Sequence, residues 1–461
     1  MLLALASGLP VLAQTEVADP LSGCSTGSAD KGRHQTPRFT LQQCIDYALA
    51  HNVQLQQNLT AQRSAEVDVT EAQAGWLPSL SAAVSQGLTY RPFQVAGSSY
   101  VNGGIATSAA DKAMQSGSYG INAQWVVWNG GQTRRSIQLA ECAAQSAEYD
   151  TQIMANSIQE EIAQYYIQIL YMQEACQVNR LLLQQDSVVC ARGAEMVRVG
   201  SMARADLAQL EAQVSQGRYD LVNIQTQVAT VKMKLRQLLE LPPSVPFDIC
   251  DTGAAEAEVL RALPDLATVY AAALDSRPEV KRSELAIEQS KLNTQQARSG
   301  YSPTVSLTGS LGDSHITGSG RHFFSQMQNN FHAQVGVSVS IPILDNRKTK
   351  SAVERSRLAE TTARLDWQAA RKQLHETVET YWLNAVNSQA KYVAAQSNVL
   401  ALEESYTLMN EQFALGLKHM AELLNSRAGL LQAKQSLLQD KYTALLNRSL
   451  LSFYEGKPLL F

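Results

Sequence analysis

The sequence predicts an α+β membrane protein made of two copies of one half-molecule, each a strand hairpin joined to long coiled-coil helices. Three observations predict it. Leu41–Leu80 aligns without a gap on Leu266–Val305, and Trp128–Leu235 aligns on Leu344–Leu451. Proline is absent between Pro92 and Pro242 and again between Pro342 and Pro458, leaving long stretches dense in Ala, Gln, Leu and Glu, all good helix formers. Between those stretches lie four segments in which apolar and small or polar residues alternate with period two. A repeat spacing of roughly 200 residues is far too long for a solenoid, so each copy is half of one architecture.

Residues 1–13 are apolar and close on Val11-Leu12-Ala13, which suits signal-peptidase cleavage before Gln14. No basic residue precedes the stretch, so the start reads as truncated or chosen too late. Leu21-Ser22-Gly23-Cys24 has the shape of a lipoprotein box that would put a lipid on Cys24, but Glu16 and Asp19 separate it from the apolar core it should follow. Residues 14–39 then read as a linker. The first repeat occupies 40–240, a second linker 241–265, the second repeat 266–456 and a short tail 457–461. The six cysteines show no CxxC. Cys176 and Cys190 lie about 21 Å apart on one predicted helix, too far to bond each other, and read as small core residues. A Cys44–Cys250 bridge is conceivable.

The spacing predicts helices from Gly131 to Val199 and from Asn346 to Leu415, each about 100 Å long. Each breaks at one glycine, Gly200 or Gly416, and returns as a helix of about 60 Å. The period is that of a coiled coil. Ile158, Ile162, Tyr165, Ile169, Met172 and Cys176 alternate spacings of four and three, and Leu207, Leu210, Val214, Leu221, Ile224, Val228, Val231, Leu235 and Leu238 continue it, with Gly217 at the skipped position. In the second half Leu423, Leu430, Leu437, Ala444 and Leu451 recur every seven. Sustained heptads imply helices packed side by side over many turns.

Strands are expected at about 79–91 and 118–128 in the first repeat, and at about 304–312 and 332–343 in the second. Leu80, Val84 and Leu88 alternate with Ser79, Ser81 and Ser85; Val335, Val337 and Val339 alternate with Gln334, Gly336 and Ser338. A soluble sandwich shows such alternation too, but hairpins with long Ser/Gly/Asn loops (92–117 and 312–331) at the ends of long helices favour membrane strands. The length difference between the halves falls in these loops. Four strands cannot close a barrel, and an open edge in lipid leaves backbone groups unpaired. Closure therefore needs several copies. Three supply 12 strands, whereas two supply eight, whose interior side chains fill.

The order of motifs resembles the TolC-type outer-membrane efflux channels over nearly everything from Thr40 to Gly456. The residues that carry it are the opener Leu41-Gln-Gln-Cys-Ile-Asp-Tyr-Ala-Leu with Ala50-His51-Asn52, and its copy around Ala272, Leu274 and Ser276-Arg277-Pro278. Strand entries Trp76-Leu77-Pro78 and Tyr301-Ser302-Pro303, and exits Trp128-Asn129-Gly130-Gly131 and Pro342-Ile343-Leu344-Asp345, follow in order in both halves. The resemblance implies a homotrimer in outer-membrane lipid, a 12-strand β-barrel continued by a periplasmic α-barrel, and no cofactor or metal. It further implies partners in a periplasmic adaptor protein and an inner-membrane transporter, which supplies the energy while this component passes substrate passively.

By the same resemblance, the adaptor-contact tips are Val199-Gly200-Ser201 and Leu415-Gly416-Leu417, and Glu422 contributes to an acidic ring at the closed periplasmic mouth. Like charges converging in a pore repel, attract cations and raise one another's pKa. The family's second ring acid is Asn425 here, which weakens the ring. The positions that hold the first-half aspartate, Asp206, are Phe413 and Lys418 in this chain. Phe413 has no hydroxyl and lysine lacks the arginine fork, so a looser latch with a Lys418–Asp206 charge pair is expected. Alternatively these are ordinary charges at a helix turn, and the two glycines merely end their helices.

Other classes fit less well. A net charge of −4 with mixed signs and no basic stripe argues against nucleic acid. Scattered histidines, no nucleophile elbow and no phosphate loop argue against an enzyme. A surface or periplasmic coiled-coil structural protein without a channel explains the heptads but not the duplicated hairpins; a periplasmic adaptor needs one hairpin with β-rich flanks. The transported substrate is not legible in the chain.

Overall fold

The computed structural model describes residues 38–90, 92–93, 98–101, 104–107, 113–250, 256–317 and 322–459. The stretch 1–13 expected as a signal peptide and the candidate lipidation site Cys24 lie outside them. In chain order the elements are β1 (Arg38–Phe39), α1 (Leu41–His51), α2 (Val53–Ala74), β2 (Ser79–Tyr90), β3 (Ser98–Val101), β4 (Gly104–Thr107), β5 (Ala113–Trp128), α3 (Gln132–Arg198) and α4 (Arg204–Leu238). The second half follows as β6 (Asp248–Ile249), α5 (Glu256–Val259), α6 (Leu266–Ser276), α7 (Pro278–Arg298), a 3₁₀ turn (Ser299–Tyr301), β7 (Thr304–Ile316), α8 (Phe323–Asn330), β8 (His332–Ser340), α9 (Lys348–Ala414) and α10 (Met420–Tyr454).

The chain divides into two units. One comprises residues 57–153 and 277–373 and contains the large sheet, in the order β2-β5-β7-β8, all antiparallel. The expected strands are present with shifted ends: β5 begins at Ala113 and β7 runs to Ile316, so the loops are shorter than the alternation implied. β8 stops at Ser340, because Pro342 cannot donate to a ladder. Two features were not foreseen, a β3–β4 hairpin in the first loop and α8 in the second.

The other unit comprises residues 38–56, 154–276 and 374–459 of the described chain. Its β1 and β6 pair in parallel, and Tyr166, fully buried, donates its hydroxyl to the Cys250 carbonyl at 2.7 Å. Thr40 caps α1 with a capping box: its side chain takes the Gln43 amide and Gln43 returns the bond. The seam of α3 runs through Ile158, Ile162, Tyr166, Ile169 and Leu170. Tyr166 thus takes the seam position assigned to Tyr165, which is half-buried, as are Met172 and Cys176. On α4 the expected Leu210, Val214, Val231 and Leu235 are buried, with Gly217 at the skipped position; on α10 Leu423, Leu430, Ala444 and Leu451 are buried, and Leu438 displaces Leu437. Cys44 and Cys250 are thiols, so the bridge conceived between them is not formed; burial and the neighbouring Cys250 push the Cys44 thiol up to about 12.

Candidate functional site

Two places concentrate chemistry: the helix reversals at 199–203 and 415–419, and the two faces of the four-stranded sheet. Each belongs to one unit.

The two reversals are built alike. At the first, the Gly200 amide donates to Val197 and the Ser201 amide to Met196; at the second, the Gly416 amide donates to Phe413 and the Leu417 amide to Gln412. These are Schellman closures, and they need the left-handed glycine conformation, φ +76° at Gly200 and +74° at Gly416. A Cβ at either would meet nothing within 4 Å, so what excludes other residues there is backbone conformation rather than crowding. Val199, Leu415 and Leu417 stand about 70% exposed or more, at 69%, 75% and 71%, and Ser201 is exposed. Single exposed apolar residues are ordinary, but a row of them at the two helix reversals forms a surface.

Neither return helix has a side-chain cap, and Asp206 and Glu422 occupy the first turn of α4 and α10, where a carboxylate complements the helix dipole. Lys418 lies 2.7 Å from Glu422 and not on Asp206, correcting the expected Lys418–Asp206 pair. One turn of separation within the same segment brings Lys418 to Glu422 at little ordering cost. Its hydrogen bond holds the Glu422 carboxyl below the usual carboxylate range. Asn425 is exposed. Phe413 packs with Met202 against a core of Leu210, Tyr406, Met420, Leu423 and Leu430, so the missing hydroxyl is replaced by apolar packing.

The sign of the Glu422 shift fixes a prediction. A depressed carboxyl favours the charged form above the usual carboxylate range, and that preference is lost as pH falls through the depressed value. Lys418→Ala should therefore move the acid titration of Glu422 upward. A carboxyl-resolved NMR titration across an acid pH series should place the Glu422 midpoint at higher pH in K418A than in the unsubstituted protein; superimposable curves would contradict the pairing.

Above this turn lies a pair that the sequence reading missed. Arg427 Nε donates to Asp186 Oδ1 at 2.9 Å, and its Nη2 sits 2.6 Å from Oδ2, off the hydrogen-bond line. Both side chains are at least nine-tenths buried, 9% and 7% exposed, and join α3 of the first half to α10 of the second. Burial first, then the Asp186 charge, pushes the Tyr406 hydroxyl up. The signal was present: Arg427 interrupts the Leu423–Leu430 stripe, and Asp186 follows Leu182 by one turn. A charge in a heptad seam asks for a partner.

In the sheet, the pairing register sorts the side chains into two faces. Leu80, Val84, Ile121, Trp125, Leu307, Leu311, Val337 and Val339 fall on one face. Ser81, Ser85, Asn122, Gln124, Thr308, Ser310, Gln334 and Ser338 fall on the other, which carries no Asp, Glu, Lys or Arg among the paired residues. The apolar face lies open: Leu80, Val84, Val335 and Val337 are 69–79% exposed. Such exposure in water is an aggregation hazard, and in lipid it is the expected state. Trp76, Trp128 and Tyr301 stand exposed where the strands meet the helices, the place of an interfacial aromatic belt. β2 and β8 each have one neighbour, so each leaves a ladder edge open within the described chain. No described helix is long and apolar enough to cross a membrane.

A family model described as outer membrane efflux protein matches residues 44–240 and 269–456, one match to each repeat. The outer membrane efflux protein BepC of Brucella suis is 25% identical over 317 residues, covering 67% of this chain and 65% of that protein. The pyoverdine export outer membrane protein OpmQ of Pseudomonas aeruginosa is 24% identical over 327 residues, covering 68% and 64%. The chain thus spans just under two thirds of the length of these relatives. The outer membrane protein VceC of Vibrio cholerae shares the fold at a TM-score of 0.73 and 16% identity, over 91% of this chain and 97% of that one. The CmeC outer membrane channel of Campylobacter jejuni does so at 0.72 and 16%, over 91% and 87%. With both repeats matched by the same family model, the chain belongs to the outer membrane efflux protein family.

Proposed function

We propose that three copies of this chain form the outer-membrane exit duct of a tripartite efflux or secretion system. The duct passes substrates passively from an inner-membrane transporter and a periplasmic adaptor to the exterior. The observation that carries this reading is the sheet: one open apolar face, one uncharged polar face and two unpaired edges. Joining the β2 edge of one copy to the β8 edge of the next satisfies every edge at once and puts the apolar face on lipid. Three copies give 12 strands, within the range of outer-membrane barrels. The polar face then lines a lumen of Ser, Thr, Asn, Gln and Gly, which suits neutral and charged solutes alike and names no single substrate.

The helix reversals are the proposed docking surface for the adaptor. Val199, Leu415 and Leu417 present apolar side chains beside the exposed Ser201, on reversals whose left-handed turn Gly200 and Gly416 make without strain. Asp206, Lys418 and Glu422 with Phe413 and Asn425 form the proposed periplasmic gate, a weakly charged one, since Lys418 already neutralises Glu422. The test is assembly and conductance. Outer-membrane fractions should contain heat-resistant trimers that conduct ions in planar bilayers, and crosslinkers at Val199 and Leu415 should capture an adaptor. A soluble coiled-coil oligomer without conductance would overturn the reading.

A further inference from the structure

α8 interrupts the connection between β7 and β8 with two helical turns that the strand pattern does not call for. It is tied to the end of β7: Gln326 Oε1 accepts the Ile316 amide at 2.9 Å, and Asn330 Nδ2 donates to the Ser314 carbonyl at 2.6 Å. A series of rings leads out to it from the apolar face of the sheet. Tyr119 and His315, cross-strand neighbours on that face, stack with centroids 5.9 Å apart; the Phe323 ring meets His315 edge-on at 4.8 Å, and Phe324 meets Phe323 at 5.6 Å. Phe324, at the end of the series, is 84% exposed. Gln326 and Asn330 are tied to the strand, and the two phenylalanines at the start of the helix stand exposed beside Ser325, Gln328 and Asn329.

The height of this helix is fixed by the strand beneath it. Trp125, at the foot of the apolar face, pairs with Leu307; His315 lies eight residues further along β7. At about 3.4 Å per residue and a tilt near 40°, that is about 20 Å of height, close to the far edge of an apolar band about 25 Å tall. At that height the face gains Gln86, Gln115, Asp313 and His315 beside the exposed Leu88 and Tyr90. Aromatic rings favour this boundary because they bridge apolar and wet surroundings.

We infer that α8 is an interfacial anchor whose Phe323–Phe324 edge lies in the outer-leaflet lipid of the outer membrane. The occupant follows from continuity: the aromatic series begins on the face proposed to meet lipid, and this inference rests on that reading. α8 thereby sets how far the barrel protrudes, with Trp76, Trp128 and Tyr301 marking the opposite boundary.

The test places a photo-crosslinking benzoyl-phenylalanine at Phe324, Val84 or Ser85 of the full chain in cells, followed by mass analysis of the irradiated protein. Position 324 should form lipid adducts within about twofold of Val84, on the apolar face, and roughly tenfold above Ser85, on the opposite face. Adducts from 324 to a second copy of the chain, or none while Val84 labels, would overturn the anchor and leave the barrel reading intact. Lipid labelling absent at Val84 as well would sink both.

Discussion

Replacing Arg427 with alanine should destabilise the folded chain by about 3–5 kcal/mol, the cost of leaving a buried charge without its partner. Asp186 is 7% exposed, so little of its carboxylate is open to solvent. Tyr406 and Gly217 stand beside the pair, and a Cβ on Gly217 would come within 4 Å of both charged groups, so the site is closed on several sides. The double variant D186L/R427M should recover most of the loss, because well-packed apolar residues replace a buried ion pair at little cost. Denaturation midpoints of the purified protein check both statements. An R427A protein within about 0.5 kcal/mol of the unsubstituted chain, the range of an ordinary surface change, would show that the pair is not the closed contact described.

A second large effect is expected in the sheet, and it depends on which face is changed. Val84→Arg puts a guanidinium on the apolar face near mid-height, where a lipid-facing charge costs about 2–4 kcal/mol; Val337→Arg puts one on the same face beside Leu307, nearer its foot, where the cost is smaller. Trimer yield in the outer membrane should collapse. Ser85→Arg and Ser338→Arg, one residue further along the same strands, point to the opposite face. Those proteins should assemble, and their single-channel currents should gain anion preference. Because successive residues alternate between faces, a shift of one position reverses the outcome. Equal tolerance of Val84→Arg and Ser85→Arg would mean that neither face meets lipid.

Much of the architecture was legible because it rests on periods. Two residues per repeat in Leu80-Ser81-Ala82-Ala83-Val84 and seven in Leu423-Leu430 persist long enough to overcome local ambiguity. Strand ends were less so. β5 extends back to Ala113 because its partner Tyr90 continues the ladder, a tertiary cause that no local pattern displays. α8 was missed since eight residues give barely two turns, too few to establish a period. Tyr165 and Tyr166 are adjacent, and the seam chose the one whose hydroxyl meets the Cys250 carbonyl, across the β1–β6 pair. At the second helix reversal, resemblance directed Lys418 to Asp206 because that is where the family's arginine points. A lysine one turn from Glu422 has a nearer partner, and the local pair wins.

The central claim is that β2 of one copy pairs with β8 of the next until three copies close a ring. Cysteines placed at Ser81, Ala83 or Ser85 on β2, each combined with one at Ser338 on β8, test it directly. At the register the edges adopt, oxidation of the assembled protein should give a covalent ladder that stops at three copies. A ladder that continues beyond three, one that stops at two, or no crosslink at any pairing would contradict the closed 12-strand barrel.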